Sequence, residues 1–120
     1  MKGLGCDVVE IHRVKRILEK HGAAFKNKVY TASEQNYCDS MRFPEVHYAA
    51  RFAAKEAVSK ALGSGIGKSL SFLDMSIERH ENGKPYVKFS EAALIKFKNP
   101  EVLLSISHAG DTAFAVANLI

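Results

Sequence analysis

Four side chains of this sequence stand where their type and spacing could do chemistry: Asp7, Glu56, Lys60 and His108. Asp7 stands in Gly3-Leu4-Gly5-Cys6-Asp7-Val8-Val9. Glu56 and Lys60 stand in Arg51-Phe52-Ala53-Ala54-Lys55-Glu56-Ala57-Val58-Ser59-Lys60-Ala61-Leu62-Gly63, which runs on into Ser64-Gly65-Ile66-Gly67-Lys68. His108 follows Ser105-Ile106-Ser107 near the other end. Two carboxylates plus the phosphates of a substrate are a usual way to hold Mg2+, a hard cation that keeps several of its waters. A glycine-rich turn can cradle phosphate through backbone amides, and Lys60 would add a point charge. Each feature also has a plainer reading. Glu56 and Lys60, one turn apart, would form a surface ion pair worth about 0.3 kcal/mol. Gly63 would cap a helix, Asp7 would face water on a half-exposed strand, and His108 would be structural. Spacing by itself leaves both readings open.

The elements that must position these groups follow from periodicity. Residues Gly3–Glu10 alternate as a strand, with Leu4, Cys6 and Val8 set against Gly5, Asp7 and Val9. Residues 11–20 form a helix with Ile11, Val14 and Leu18 on one side. Arg13, Arg16 and Lys20 lie on the other, either as a solvated face or as a docking stripe for an acidic helix. His21-Gly22 ends it, and Phe25 and Val29 anchor a short following segment. Thr31-Ala32-Ser33-Glu34 is a capping box for a short helix. The main helix starts at about Glu45, and Ala50, Ala54, Ala57, Val58 and Ala61 share one side of it. That stripe is mostly alanine, so another backbone can come close. Beyond the glycine turn the period becomes two: Leu73, Met75 and Ile77 alternate with polar residues. Asn82-Gly83 signals a hairpin, and Pro85 opens the return strand. Ser90 caps a short helix, 102–107 is a strand, 108–111 a turn and 113–119 the last strand. The order is an α+β fold with antiparallel strands and segregated helices in a single domain, residues 1–120. Phe25, Phe43, Phe52, Phe72, Phe89 and Phe114 are expected in the core.

Composition bounds the function. The 120 residues carry a net charge of +4 and are 47% hydrophobic and 25% charged, enough for one modest core. The basic excess is spread along the chain. It suits an acidic or phosphorylated partner, and lacks the clustered stripe of a nucleic-acid binder, so no nucleic-acid partner is expected. No apolar run approaches the roughly 20 residues that span a membrane, and the N-terminal residues lack a signal-peptide pattern. A cytoplasmic protein without a membrane partner is expected. Cys6 and Cys38 match no metal spacing and are expected as reduced, packed thiols. His12, His21, His47 and His80 show no zinc-like spacing.

Five stretches, in order, resemble one family. Residues 3–11, Arg51 to Ala57 with Ser59 to Gly63, Gly65-Ile66-Gly67, Asn82-Gly83-Lys84-Pro85 and Ser105-Ile106-Ser107-His108 are similar to the motifs of the holo-[acyl-carrier-protein] synthases, the small bacterial 4′-phosphopantetheinyl transferases. The resemblance covers nearly the whole chain. It implies the 4′-phosphopantetheinyl transferase fold, an antiparallel sheet with a long packed helix. It implies transfer of the 4′-phosphopantetheine arm of coenzyme A to a serine of apo acyl carrier protein, with release of adenosine 3′,5′-bisphosphate, in fatty acid biosynthesis. Asp7 and Glu56 would hold Mg2+. Glu56, or a metal-ordered water, would take the serine proton. Arg51, Lys60, Gly63, Lys84, Pro85 and His108 would contact coenzyme A, and Arg13, Arg16 and Lys20 would dock the carrier protein. The resemblance further implies a homotrimer with active sites at the subunit interfaces, which would also bury sheet surface that so small a chain leaves open. One position departs from the pattern: Ala109 stands where relatives often have a hydroxyl residue. The readings from other classes are a non-catalytic basic module for a nucleotide or an acidic protein surface, and a small nucleic-acid binder with steep salt dependence.

Overall fold

The structure is a computed structural model that describes residues 2–120. Its elements are β1 (Gly3–Glu10), α1 (Ile11–His21), α2 (Ala23–Val29), α3 (Ala32–Asp39), α4 (Pro44–Ala61), β2 (Met75–Arg79), β3 (Pro85–Phe89), α5 (Glu91–Lys96), β4 (Val102–Ala109) and β5 (Thr112–Leu119). The strands form two antiparallel sheets, one ordered β1-β5-β4 and the other β2-β3. The α+β expectation holds. Among the described residues, no helix is long and apolar enough to cross a membrane.

Helix α4 organises the core. Pro44 sits at its first turn, where a missing N–H costs nothing, and Gly63 follows its C-terminus with φ 80°, a left-handed geometry that suits glycine. Of the stripe read from spacing, Ala54, Ala57, Val58 and Ala61, joined by Ala53, pack against Leu104, Ala115 and Ala117 of the first sheet and Met75 and Ile77 of the second, while Ala50 falls in another cluster. Val58, Leu70 and Ile77 each gain about 2 kcal/mol from burial; the alanines contribute mainly proximity. A second cluster joins Ile11 and Val14 of α1 and Val29 and Tyr30 to Tyr48, Ala49 and Ala50 near the start of α4.

Several elements differ from the periodicity. The segment anchored by Phe25 and Val29 is a helix of its own, a single short piece with no side-chain cap to announce it. Leu73 belongs to a 3-10 turn, Phe72–Asp74, so β2 begins only at Met75. The β2–β3 connection spans His80 to Lys84, longer than a two-residue Asn-Gly turn, and is closed by His80 N–H donating to Lys84 O. His108 lies inside β4, paired with Ala113, and the tight turn is Gly110-Asp111. Phe43 and Phe114 are 55% and 39% exposed, outside the core expected for them. Cys38 is buried as a packed thiol, with burial pushing its pKa up to about 12, whereas Cys6 is exposed.

Glu34 does more than cap. The capping box is present, with Glu34 Oε1 accepting from Thr31 N–H at 2.9 Å. The same carboxylate also meets Lys55 Nζ at 2.7 Å with both side chains fully buried, and its Oε2 accepts from Ile77 N–H at 2.8 Å. Lys55 donates further to Val29 O and Phe72 O. One ion pair therefore ties α3, α4 and β2 together. Removing one member leaves an uncompensated buried charge. Glu34→Ala is expected to cost about 3–5 kcal/mol in urea unfolding, against about 2 kcal/mol for Thr31→Ala, which removes a cap and a hydrogen bond to Ser76 Oγ. Equal losses in the two variants would show that the ion pair contributes little.

Candidate active site

Asp7 reaches α4 because glycines precede it. A Cβ on Gly3 would lie 2.0 Å from Ala61 O; one on Gly5 would lie 2.0 Å from Ala57 O and 2.9 Å from Lys60 Cβ. No side chain fits there, so β1 and α4 touch backbone to backbone. Two strand residues advance about 6.6 Å and four helix residues about 6 Å. The matched steps carry Gly3 past Ala61 and Gly5 past Ala57, and Asp7 on the same face meets Lys60 and the charge of Glu56. The face of β1 turned to the helix is accordingly Gly3, Gly5, Asp7 and Val9, while Leu4, Cys6 and Val8 face outward.

Lys60 Nζ donates to Asp7 Oδ1 at 3.2 Å and to Cys6 O at 3.0 Å. The lysine thus turns to β1, and the expected surface pair with Glu56 is not what holds it. Glu56 has its pKa raised, first by burial, then by the charge of Asp7, with Lys60 opposing. Two carboxylates close enough to repel, with one ammonium beside them, form an oxygen-rich acidic pair short of positive charge. The pair opens on a cavity of about 610 Å3, whose walls include Val9, Val14, Ile17, Phe25 and Phe52, and also Arg13 of the basic helix. Arg13, Arg16 and Lys20 are all exposed on α1.

The remaining predicted contacts gather elsewhere. Arg51 precedes Glu56 by five residues, about 140° away around the helix. It is buried, stacks over the Tyr37 ring at 4.3 Å, and its Nε has no hydrogen-bond partner among the described residues. His47, one turn earlier, has its pKa lowered by burial and then by the positive charge of Arg51, Arg79 and His108. Arg79 in turn donates to Gly83 O at 2.7 Å and pairs with Pro85 across the β2–β3 hairpin, next to Lys84. The sequence's candidates therefore fall into two groups: Asp7, Glu56 and Lys60 toward β1, and Arg51, His108, Lys84 and Pro85 on the side of Arg79 and His47, with Gly63 in the loop after α4. His47, Tyr37 and Arg79 were missed by sequence reasoning; the basic cluster they complete is assembled from four separate elements.

Two local expectations change. The loop after α4 uses its amides internally: Gly63 N–H donates to Lys60 O, Ser64 and Gly65 N–H to Ser59 O, and Gly67 N–H to Leu70 O. It closes the negative end of a helix, so these four amides are not free to cradle phosphate. Conversely, His12, which showed no ligand spacing in sequence, hydrogen-bonds Asp111 from 99 residues away and lies 3.8 Å from Glu10.

The fold sets an acidic pair beside a largely apolar cavity, with a basic helix at its rim. The chain belongs to the 4′-phosphopantetheinyl transferase superfamily, whose family model matches residues 3–117. A holo-[acyl-carrier-protein] synthase of Protochlamydia amoebophila is 47% identical over 116 residues, covering 95% of each chain. Among solved structures, the holo-[acyl-carrier-protein] synthase of Helicobacter pylori in complex with coenzyme A superposes with a TM-score of 0.89 at 34% identity, covering 98% of this chain and 99% of that one. The corresponding synthase of Neisseria meningitidis gives 0.91 at 32% identity, covering 100% and 98%.

The glycine contact is testable. Gly5→Ala is expected to lose about 3 kcal/mol in urea unfolding, because backbone must move to admit the methyl group. Gly67→Ala, with nothing within 4 Å of its Cβ, is expected to change stability by about 0.5 kcal/mol or less. A Gly5→Ala protein as stable as the parent would mean that β1 and α4 are not in such contact.

Proposed function

We infer that this chain transfers 4′-phosphopantetheine from coenzyme A to a serine hydroxyl of apo acyl carrier protein, releasing adenosine 3′,5′-bisphosphate. The setting is fatty acid biosynthesis in the cytoplasm, a reducing compartment in keeping with the unpaired Cys38. The observation that carries the reading is the single cavity lined by Asp7 and Glu56 together with Arg13 and Ile17 of the basic helix. A carrier protein docked on α1 would present its serine at the carboxylate pair.

Mg2+ fits this site. The donors are oxygens only, Glu56 is disturbed by the charge of Asp7, and the one ammonium present pairs with Asp7. Asp7 and Glu56 would hold the ion, which would polarise the coenzyme A pyrophosphate as a Lewis acid. The serine oxygen attacks the β-phosphorus, the bond from that phosphorus to the bridging oxygen breaks, and the bridging oxygen leaves with the adenosine bisphosphate. The serine proton would pass to Glu56 or to a metal-ordered water. Lys60 neutralises Asp7 in the ligand-free chain and is placed to turn to a phosphate oxygen when the site is loaded. The rest of the rate acceleration would come from positioning.

The site needs a second copy of the chain. Arg51, His108, Lys84 and Pro85 suit the phosphates of the nucleotide, and the crowded positive charge around His47 would be relieved by an anion. Yet they lie on the side of α4 turned away from Glu56. The sheet face that would bring copies together is apolar and uncovered: Leu4 and Val8 are each 60% exposed, Leu103 is 47% exposed, and Asn118 Oδ1 among them is buried without a partner. A homotrimer would cover this face and set the basic cluster of one copy opposite the carboxylates of the next.

Incubated with coenzyme A, Mg2+ and an apo carrier protein, the chain is expected to add the phosphopantetheine mass to the carrier. Glu56→Gln is expected to slow this by about a hundredfold or more while melting normally. No mass gain on any of several carriers would refute the transferase reading. For the shared site, Glu56→Gln and His108→Ala subunits, each inactive alone, are expected to regain turnover when dissociated and reassembled together. No recovery in mixed assemblies, or a monomer in sedimentation, would refute the second-copy contribution.

A further inference from the structure

Helix α1 carries the docking residues, but its own start is bare. Its N-cap, Glu10, makes no side-chain capping bond, and its first turn holds no acidic residue. The first turn of a helix leaves N–H groups without intrahelical partners. Here they are met from the far end of the chain. Ile11 N–H donates to Asp111 O at 2.8 Å, and His12 N–H donates to Asp111 Oδ1 at 2.9 Å. The other carboxylate oxygen of Asp111 hydrogen-bonds His12 Nδ1. From there the contacts continue along the helix: His12 Nε2 lies 3.8 Å from Glu10 Oε2, and Glu10 Oε1 lies 3.7 Å from Arg13 Nη1. The positive charge of Arg16 also acts on Asp111, whose pKa is lowered first by its bond to His12. Asp111 sits in the β4–β5 turn, three residues after His108 and next to Thr112, which pairs with Glu10.

We propose that Asp111 is a positioning residue for carrier docking: it caps α1 from the β4–β5 turn and, through His12 and Glu10, holds Arg13 at the rim of the acid pair's cavity. The proposal rests on the docking reading of α1. The turn itself stays in place without the carboxylate, because β5 remains paired to both β1 and β4. Asp111 therefore acts on the helix more than on His108.

The test is steady-state transfer with the apo carrier protein varied at saturating coenzyme A, then the reverse. Asp111→Ala is expected to raise KM for the carrier roughly fivefold, the size of a lost helix cap. Both kcat and KM for coenzyme A should stay within about twofold. Asp111→Asn keeps an oxygen for the His12 N–H and is expected to recover most of the carrier KM. A purely structural role would lower kcat with the folded fraction and leave carrier KM unchanged, and that outcome overturns the proposal. Arg16→Glu separates the two readings. If it raises carrier KM while Asp111→Ala does not, docking on α1 stands and the positioning role is wrong. If neither variant moves carrier KM, the docking reading fails and the proposal fails with it.

Discussion

The contact between β1 and α4 is the constraint on which the rest depends. A strand and a helix usually meet through side chains, and the layer of side chains keeps their backbones apart. Here Gly3 and Gly5 remove that layer on one side, and Ala57 and Ala61 thin it on the other. The carbonyl oxygens of α4 occupy the space where the strand's Cβ atoms would be. Because strand and helix advance in nearly matched steps, the contact also sets the register, and Asp7 comes to the turn of α4 that carries Glu56 and Lys60. A carboxylate on a strand facing a helix would normally be costly. Lys60 offsets that cost in the ligand-free chain.

Helix α4 meets different demands on each of its sides. Its alanines and Val58 close the core. Lys55 enters the interior and is matched there by Glu34, so that a buried charge joins three elements that hydrophobic contact alone would hold less specifically. Arg51 leaves in another direction, under the ring of Tyr37. Glu56 and Lys60 take the remaining side. Eighteen residues thus carry side chains of both candidate groups, and the helix itself keeps the two groups apart. The outer face of the first sheet stays apolar and exposed at Leu4, Val8 and Leu103, and Arg51 Nε and Asn118 Oδ1 are buried without partners among the described residues.

Much of this was legible in sequence. The long helix, its alanine stripe, the capping box at Thr31, the strand at Gly3–Glu10 and the order of the later hairpins were all local patterns, set by side-chain period, caps and turn residues. The less local a feature, the less legible it was. Helix α2 is too short to show a period. Leu73 alternates correctly and still falls in a 3-10 turn, because the Asp74 carboxylate accepts from Ser71 and closes it. Phe43 and Phe114 are apolar, but burial depends on which face the rest of the chain covers.

The sequence by itself determined which side chains could do chemistry, and that Asp7 and Glu56 would each be presented from a regular element. Residue type and period are properties of neighbours along the chain. Only the tertiary structure decided that Lys60 pairs with Asp7 and not with Glu56, that Glu34 is an ion-pair partner as well as a cap, that Asp111 caps a helix 99 residues away, and that the phosphate-contact candidates divide between two sides of one helix. Those outcomes depend on how closely backbones approach and on which charges share a low-dielectric interior, and neither quantity is fixed until the chain has closed on itself.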